Sequence, residues 1–382
     1  MVTFSNVLQA HGLERIIPYA FASAGVAAIL SPLFIGSLAD QHISPHRLLR
    51  WLALGTGLSL SLAFFAIARG WGAAWVLVGM QFQALFSAPL WGLATSIALS
   101  TLQDPARQFG GVRVWATFGW MTAGMITSFL LRADTSATCG IVAGGVWLGV
   151  FLISYTLPHA EPRVTNASRS WRSLLGFEAI GLLRHRSHGT VFITAALISA
   201  PLAAFYPFGA MQLRALGESR VAAFMALGQV SEVVAMYALA PLLARVRLKW
   251  ILAAGITFGV VRYGLFALNN LPAVIAGITL HGLCFTLFFI PAQIYLDQRI
   301  DRSLHARAQA LLTLMMSGIG TLAGYLGCGW WREACTGPNG TDWPLFWSVL
   351  CGLMVASLAF FLVSYKGRAD TEGEGSGSPS RS

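Results

Sequence analysis

Between Arg15 and Lys366 the chain alternates long apolar runs with short polar breaks, and eleven of these runs are long enough to cross a bilayer. A hydrocarbon core of about 30 Å takes roughly 20 apolar residues in helical form, and backbone within lipid must satisfy its own hydrogen bonds. The pattern predicts an all-α polytopic membrane protein with spans at about 17–38, 48–68, 73–100, 111–131, 138–157, 189–213, 220–244, 249–268, 272–296, 306–331 and 343–365. Most breaks are short. One is long: 158–188 carries Arg163, Arg169, Arg172, Arg184 and Arg186 and has no uniform apolar run. It predicts a solvated linker dividing an N-terminal bundle of five helices, 1–157, from a C-terminal bundle of six, 189–366. The polar, Gly/Ser-rich segment 367–382 has no apolar anchor and is expected to be disordered.

Composition supports the pattern: 56% of residues are hydrophobic and only 10% charged, against about 25% charged in soluble domains. The formal charge of +10 is nearly all arginine, Lys249 and Lys366 being the only lysines. It points to the membrane rather than to nucleic acid. Taken by alternate breaks, one set holds Arg47, Arg50, Arg107, the linker arginines, Arg245, Arg247, Lys249, Arg299, Arg302, Arg307, Lys366, Arg368 and Arg381, and the other only Arg15, Arg69, Arg132, Arg214, Arg220 and Arg332. Basic residues are retained on the cytoplasmic side, so the C-terminus is expected inside. An odd number of spans then leaves Met1 outside without a signal peptide, and a preceding helix would remove that conflict. Of the five cysteines, Cys335 alone falls in a predicted loop, and no C-x-x-C spacing suggests metal or redox work.

Several motifs narrow the class. Gly36-Ser37-Leu38-Ala39-Asp40, followed by Arg47 and Arg50, resembles the G-x-L-A-D signature of the major facilitator superfamily, in which glycine lets helices approach and the aspartate meets basic partners. Arg113 to Trp120, Gln229 to Glu232, Arg262 to Ala267, His281 to Phe285 and Arg307 to Ala310 fall in the order and spacing of that superfamily's nucleoside:proton symporters. The resemblance covers about Val2 to Lys366. It implies the superfamily fold with its first helix missing, a solute site between the two bundles near the midplane, and Gly36, Asp40 and Arg47 as a conformational motif.

Ionisable residues within spans are functional candidates, because a central charge costs at least about 2.5–3.5 kcal/mol on insertion scales. Glu232 lies some twelve residues into its span, hence ~18 Å deep. With Gln229 one turn away, it suits hydroxyls of a polyol such as ribose, and it is the candidate for proton coupling. Arg113, Thr117 and Trp120 follow i, i+4, i+7 spacing and make one stripe of cation, hydroxyl and ring. His281, Phe285 and Phe289 repeat every four residues, with Thr286 beside them. Such an aromatic stripe suits packing as well as binding. The resemblance aligns these positions with a Tyr-x-x-x-Phe-Asp block that lines the family's cavity, so His281 replaces the tyrosine and Thr286 the acid, which leaves coupling to Glu232, with His281 as a helper. Ala203 and Tyr206 stand where the family has glutamine and asparagine, and Pro207 follows. For Arg262 a structural ion pair with Glu232 is expected, and for Gly140, Gly144, Gly320 and Gly324 close helix packing that permits sliding.

No nucleophile set, zinc-protease motif, P-loop or dinucleotide fingerprint occurs, which excludes a recognisable enzyme or ATP-driven pump. The expectation is a monomeric secondary transporter of the bacterial inner membrane that moves a small polar solute, nucleosides first, by proton-coupled alternating access. It would need no cofactor beyond the coupling proton and no nucleic-acid partner. The rivals are a carrier for a sugar or other solute, and a non-transporting receptor or degenerate carrier.

Overall fold

The computed structural model describes residues 2–39, 43–157, 170–301 and 304–366. Asp40 of the conformational motif and the segment 367–382 lie outside them. The apolar runs form helices: α1 Phe4–Ala10, α2 Ile17–Ala39, α3 Pro45–Arg69, α4 Ala73–Thr101 and α5 Pro105–Met125, which runs on through wider turns over Ile126–Leu130. They continue as α6 Thr138–Thr156, α7 Arg186–Ala215, α8 Val221–Arg245, α9 Leu248–Ala267, α10 Leu271–Arg299, α11 His305–Ala334 and α12 Trp343–Ser364. Among the described residues ten helices are long and apolar enough to cross a membrane. The run predicted at 111–131 is helical within α5 but is not one of the ten; Arg113 dilutes its apolar character.

Local chemistry sets the helix ends. Pro45 opens α3, and Gly70 closes it in the left-handed region at φ +66°, accepted there without Cβ strain. Asn270 Oδ1 accepts from the Ala273 N–H at 3.0 Å and Asp342 Oδ1 from the Leu345 N–H at 3.0 Å, capping α10 and α12, each with a proline in the first turn. A short hairpin, β1 Thr336–Gly337 and β2 Gly340–Thr341, pairs antiparallel between α11 and α12. Before α7, Trp171–Leu174 and Phe177–Arg184 form short helical turns that rest on α11, where Arg307 Nε meets Glu178 Oε2 at 2.8 Å.

Within the first six helices, α3 packs on α4 and α6, and α2 on α4; within the last six, α9 packs on α10 and α12, α8 on α10, and α7 on α11 and α12. The glycines expected to permit close helix packing belong to these internal contacts. Gly140 and Gly144 sit against Phe64 and Ser61 of α3, and Gly320 and Gly324 against Ala196 and Ala200 of α7. The two sets of helices meet along three other seams. Ser5 of α1 donates to the Pro207 carbonyl of α7 at 2.8 Å, and Asn6 to that of Ala210 at 3.2 Å. Gly25 of α2 faces Leu322 of α11, and Phe21 meets Tyr325 with ring centroids 5.5 Å apart. On α5, Gly124 abuts Ala222 of α8. These contacts gather toward the start of α2 and the end of α11. Cys335, expected in a loop, caps the end of α11 and is buried.

Candidate functional site

The predicted residues converge from α5, α7, α8 and α10. Tyr206 sits where Pro207 forces α7 into wider turns over Phe205–Gly209, because proline has no N–H to continue the ladder. That places Tyr206 Oη 3.2 Å from His281 Nε2. The Tyr206 ring meets Trp120 of α5 edge to face at 6.2 Å, and Phe205 stacks on the His281 imidazole at 4.3 Å. His281, Phe285 and Phe289 form a continuous ladder along α10, with centroid spacings of 6.5 and 5.1 Å.

Glycine brings α8 and α10 together. Any Cβ at Gly282 would strike the Glu232 backbone, and the Gly282 N–H donates to Ser231 Oγ at 3.1 Å. This close approach holds Glu232 one turn beyond Gln229, which is buried beside the Tyr206 hydroxyl. Glu232 is half-buried, and the cation acting on it is Arg113 of α5, across the gap between the two sets of helices. Arg113 itself lies over the Trp91 ring at 5.1 Å. Thr117, on the Arg113 stripe, is half-buried. Thr286 is fully buried, and its hydroxyl has no partner. Gly36 lies on α2 and Arg47 is exposed in the first turn of α3.

One expectation is overturned. Arg262 does not pair with Glu232: its Nη1 donates to His281 Nδ1 at 2.9 Å and its Nη2 to Tyr263 Oη at 3.0 Å, while the guanidinium lies 4.7 Å above both the Phe205 and Tyr263 rings. The partners of this buried arginine are an imidazole, a phenol and two aromatic faces rather than a carboxylate, and its Nε has no hydrogen-bond partner.

A cavity of about 360 Å³ adjoins Trp120 and Tyr206 and is further lined by Tyr325, Gln83, Ser87 and Ser23, within the range that holds small ligands. The sequence reading did not single out these last four. A signal was present in Gln83 and Ser87, polar residues at i, i+4 inside an apolar run, and Gln83 Nε2 does donate to Ser87 Oγ at 3.1 Å. No group of three or more metal-ligating side chains occurs among the described residues.

A lipid-spanning helical assembly, whose polar and aromatic side chains line a gap between two sets of helices, defines a membrane solute carrier of the major facilitator superfamily fold. The chain belongs to the nucleoside H+ symporter family, which matches residues 5–370. Among its relatives is YegT of Escherichia coli, 31% identical over 323 residues, 81% of this chain and 74% of that one. The nucleoside permease NupG of Escherichia coli is 23% identical over 365 residues, covering 91% of this chain and 86% of that one. The crystal structure of the nucleoside transporter NupG superposes with TM-score 0.83 at 22% identity, over 96% of this chain and 95% of that one. A peptide transporter of the POT family shares the fold at TM-score 0.64 and 13% identity, over 97% of this chain and 98% of that one.

Proposed function

We propose that the chain is a proton-coupled nucleoside carrier of the bacterial inner membrane, with 1–157 and 189–366 rocking about the seams while the C-terminus stays cytoplasmic. The observation carrying this reading is the cavity lined by Trp120 and Tyr206, whose hydroxyl meets His281, with Glu232 half-buried on α8 one turn beyond Gln229. The carboxylate and Gln229 suit ribose hydroxyls, the rings suit the π face of a base, and Arg113 supplies the countercharge. The contacts near the start of α2 and the end of α11 join the two sets of helices at one end, which a cytoplasmic C-terminus makes the external one. In the cycle Glu232 takes a proton from outside and releases it inside. Loaded and empty forms reorient: the loaded form carries Glu232 neutral beside its solute, and the empty form returns with the carboxylate balanced by Arg113.

The test is uptake of labelled uridine into proteoliposomes with and without an imposed inward proton gradient. Accumulation only with the gradient supports the reading; equal uptake in both conditions counts against it. Departures at Ala203, Tyr206, His281 and Thr286 bear on solute choice. Competition by a panel of purine nucleosides, pyrimidine nucleosides and free sugars separates a nucleoside carrier from one for another polar solute.

A further inference from the structure

Arg262 sits about three-quarters of the way along α9 with no exposed surface. Its two Nη atoms reach His281 Nδ1 and the Tyr263 hydroxyl, and Tyr263 donates onward to the Pro201 carbonyl at 2.7 Å. A guanidinium has five N–H donors, no acceptor, and keeps its proton. The short contact at Nδ1 therefore requires a lone pair on that nitrogen. The ring proton must be on Nε2, and among the described residues the only oxygen bonded there is Tyr206 Oη at 3.2 Å. Protonating Nδ1 would set two donors and two positive charges against each other at 2.9 Å in a buried site.

We propose that Arg262 is the positioning residue of the solute site: it holds His281 as the neutral Nε2–H tautomer, so that Tyr206 accepts from the imidazole and turns its own hydroxyl hydrogen toward the cavity it lines. The site then presents a hydroxyl donor and selects a solute carrying a matching acceptor, such as the carbonyl or ring nitrogen of a heteroaromatic base. His281 carries no proton through the cycle, and coupling rests with Glu232. The inference about Tyr206 and the solute builds on the nucleoside reading; the tautomer of His281 does not. The groups facing the imidazole are Arg262 of α9, Phe205 and Tyr206 of α7 and Phe285 of α10. Glu232 lies beyond, where the α8 backbone packs on Gly282 of α10, and the cation acting on it is Arg113 of α5. None of these offers His281 Nδ1 an acceptor.

The experiment has two arms on the full-length protein. In the first, imidazole ¹⁵N NMR of detergent-solubilised protein, with the His281 signals assigned by their loss in His281→Gln, is followed between about pH 5 and pH 8, where an ordinary histidine titrates. One unchanging Nε2–H tautomer is expected, while Arg262→Met should release it to titrate and Arg262→Lys, which keeps a donor, should retain the tautomer. A wild-type His281 that titrates in this range, or carries its proton on Nδ1, overturns the proposal, and this readout needs neither a variant nor a solute. In the second arm, Tyr206→Phe should raise the KM for uridine by about three- to tenfold with Vmax kept, the worth of one hydrogen bond. Unchanged KM in Tyr206→Phe while wild type transports uridine overturns the donor role alone. Absence of nucleoside transport by wild type overturns the functional reading and that donor role together, while the NMR arm still decides the tautomer.

Discussion

The carboxylate of Asp134, in the turn after α5, caps a helix from the other half of the chain: its Oδ1 accepts from the Ala222 N–H of α8 at 2.7 Å. Ser128 completes the arrangement, donating to the same Oδ1 at 3.0 Å and accepting from the Ala223 N–H at 3.0 Å. These are the free N–H groups of the first turn of α8, where the macrodipole favours an anion. A cap in trans exists only while the seam is closed, so it acts as a latch on that conformation.

Removing the latch has a calculable consequence. Asp134→Ala costs the closed arrangement the worth of one cap, about 0.5–2 kcal/mol, which shifts the equilibrium roughly two- to thirtyfold toward opening at this end. The pH effect has a definite sign. Burial pushes the Asp134 carboxyl above its ordinary value of 3.8, outweighing the N–H groups that favour the anion. Within the window between the ordinary and the raised value, the closed form holds a proton that the open form releases. Acidification therefore favours closure, and the advantage fades as pH rises through the raised value. Asp134→Asn, permanently neutral and still an acceptor, should close the seam at all pH values. The alkylation rate of a cysteine placed at Ala226, in a background without the native cysteines, reads all three outcomes.

Glu232→Gln separates coupling from movement. A neutral side chain of the same shape keeps the polyol contacts but cannot release a proton, so accumulation of uridine against its gradient should vanish while counterflow exchange persists. Proteoliposomes assayed in both modes decide the matter. Loss of exchange as well would assign Glu232 to solute binding alone.

Trp120 meets Tyr206 edge to face from the opposite set of helices and lines the same cavity. Trp120→Ala should weaken solute binding by about 0.5–1.5 kcal/mol, a roughly two- to tenfold rise in KM, with Trp120→Phe close to wild type. Initial-rate uridine uptake across a concentration series measures this. Unchanged KM would make Trp120 a packing residue.

The Glu178–Arg307 pair tests the opposite expectation. Both side chains are more than one-third exposed, 34% and 41%, so solvent screens their attraction. Glu178→Ala should change stability by less than about 1 kcal/mol, leaving the thermal unfolding midpoint in detergent nearly unchanged. A large drop would mean that the turns before α7 brace α11 in a way this single contact does not convey.

Much of the fold was legible because membrane helices announce themselves by length and hydropathy, and helical spacing alone put His281, Phe285 and Phe289 on one face of α10. Partnership was harder to read. Arg262 and Glu232, opposite charges in one bilayer, suggest an ion pair, but side-chain direction on α9 sends the guanidinium to His281 and the aromatic faces of Phe205 and Tyr263. Asp134 escaped notice because a lone acid in a polar turn has no spacing to mark it, and its partners are backbone N–H groups, which every residue but proline possesses. Thr286, expected at the cavity, is fully buried, since helical spacing records the angle of a residue on α10 but not which neighbour covers it.

Gly25 links packing to the transport cycle. In the closed seam its Cα lies so near α11 that an added Cβ would meet the Leu322 backbone and Cβ. A small residue is needed there only while α2 and α11 are together, because nothing presses on that face once they part. Gly25→Val should therefore insert and fold as wild type does but fail to close this end. The clash falls partly on backbone, which a rotamer change cannot relieve. Two measurements are required together: surface amount in the membrane, expected to stay near wild type, and alkylation of the Ala226 cysteine, expected to become fast and independent of solute. Net uridine uptake should fall to background, because a carrier held in one conformation completes no cycle. Normal uptake by Gly25→Val would mean that α2 and α11 need not approach this closely at any stage, and the seam would lose its role as the gate.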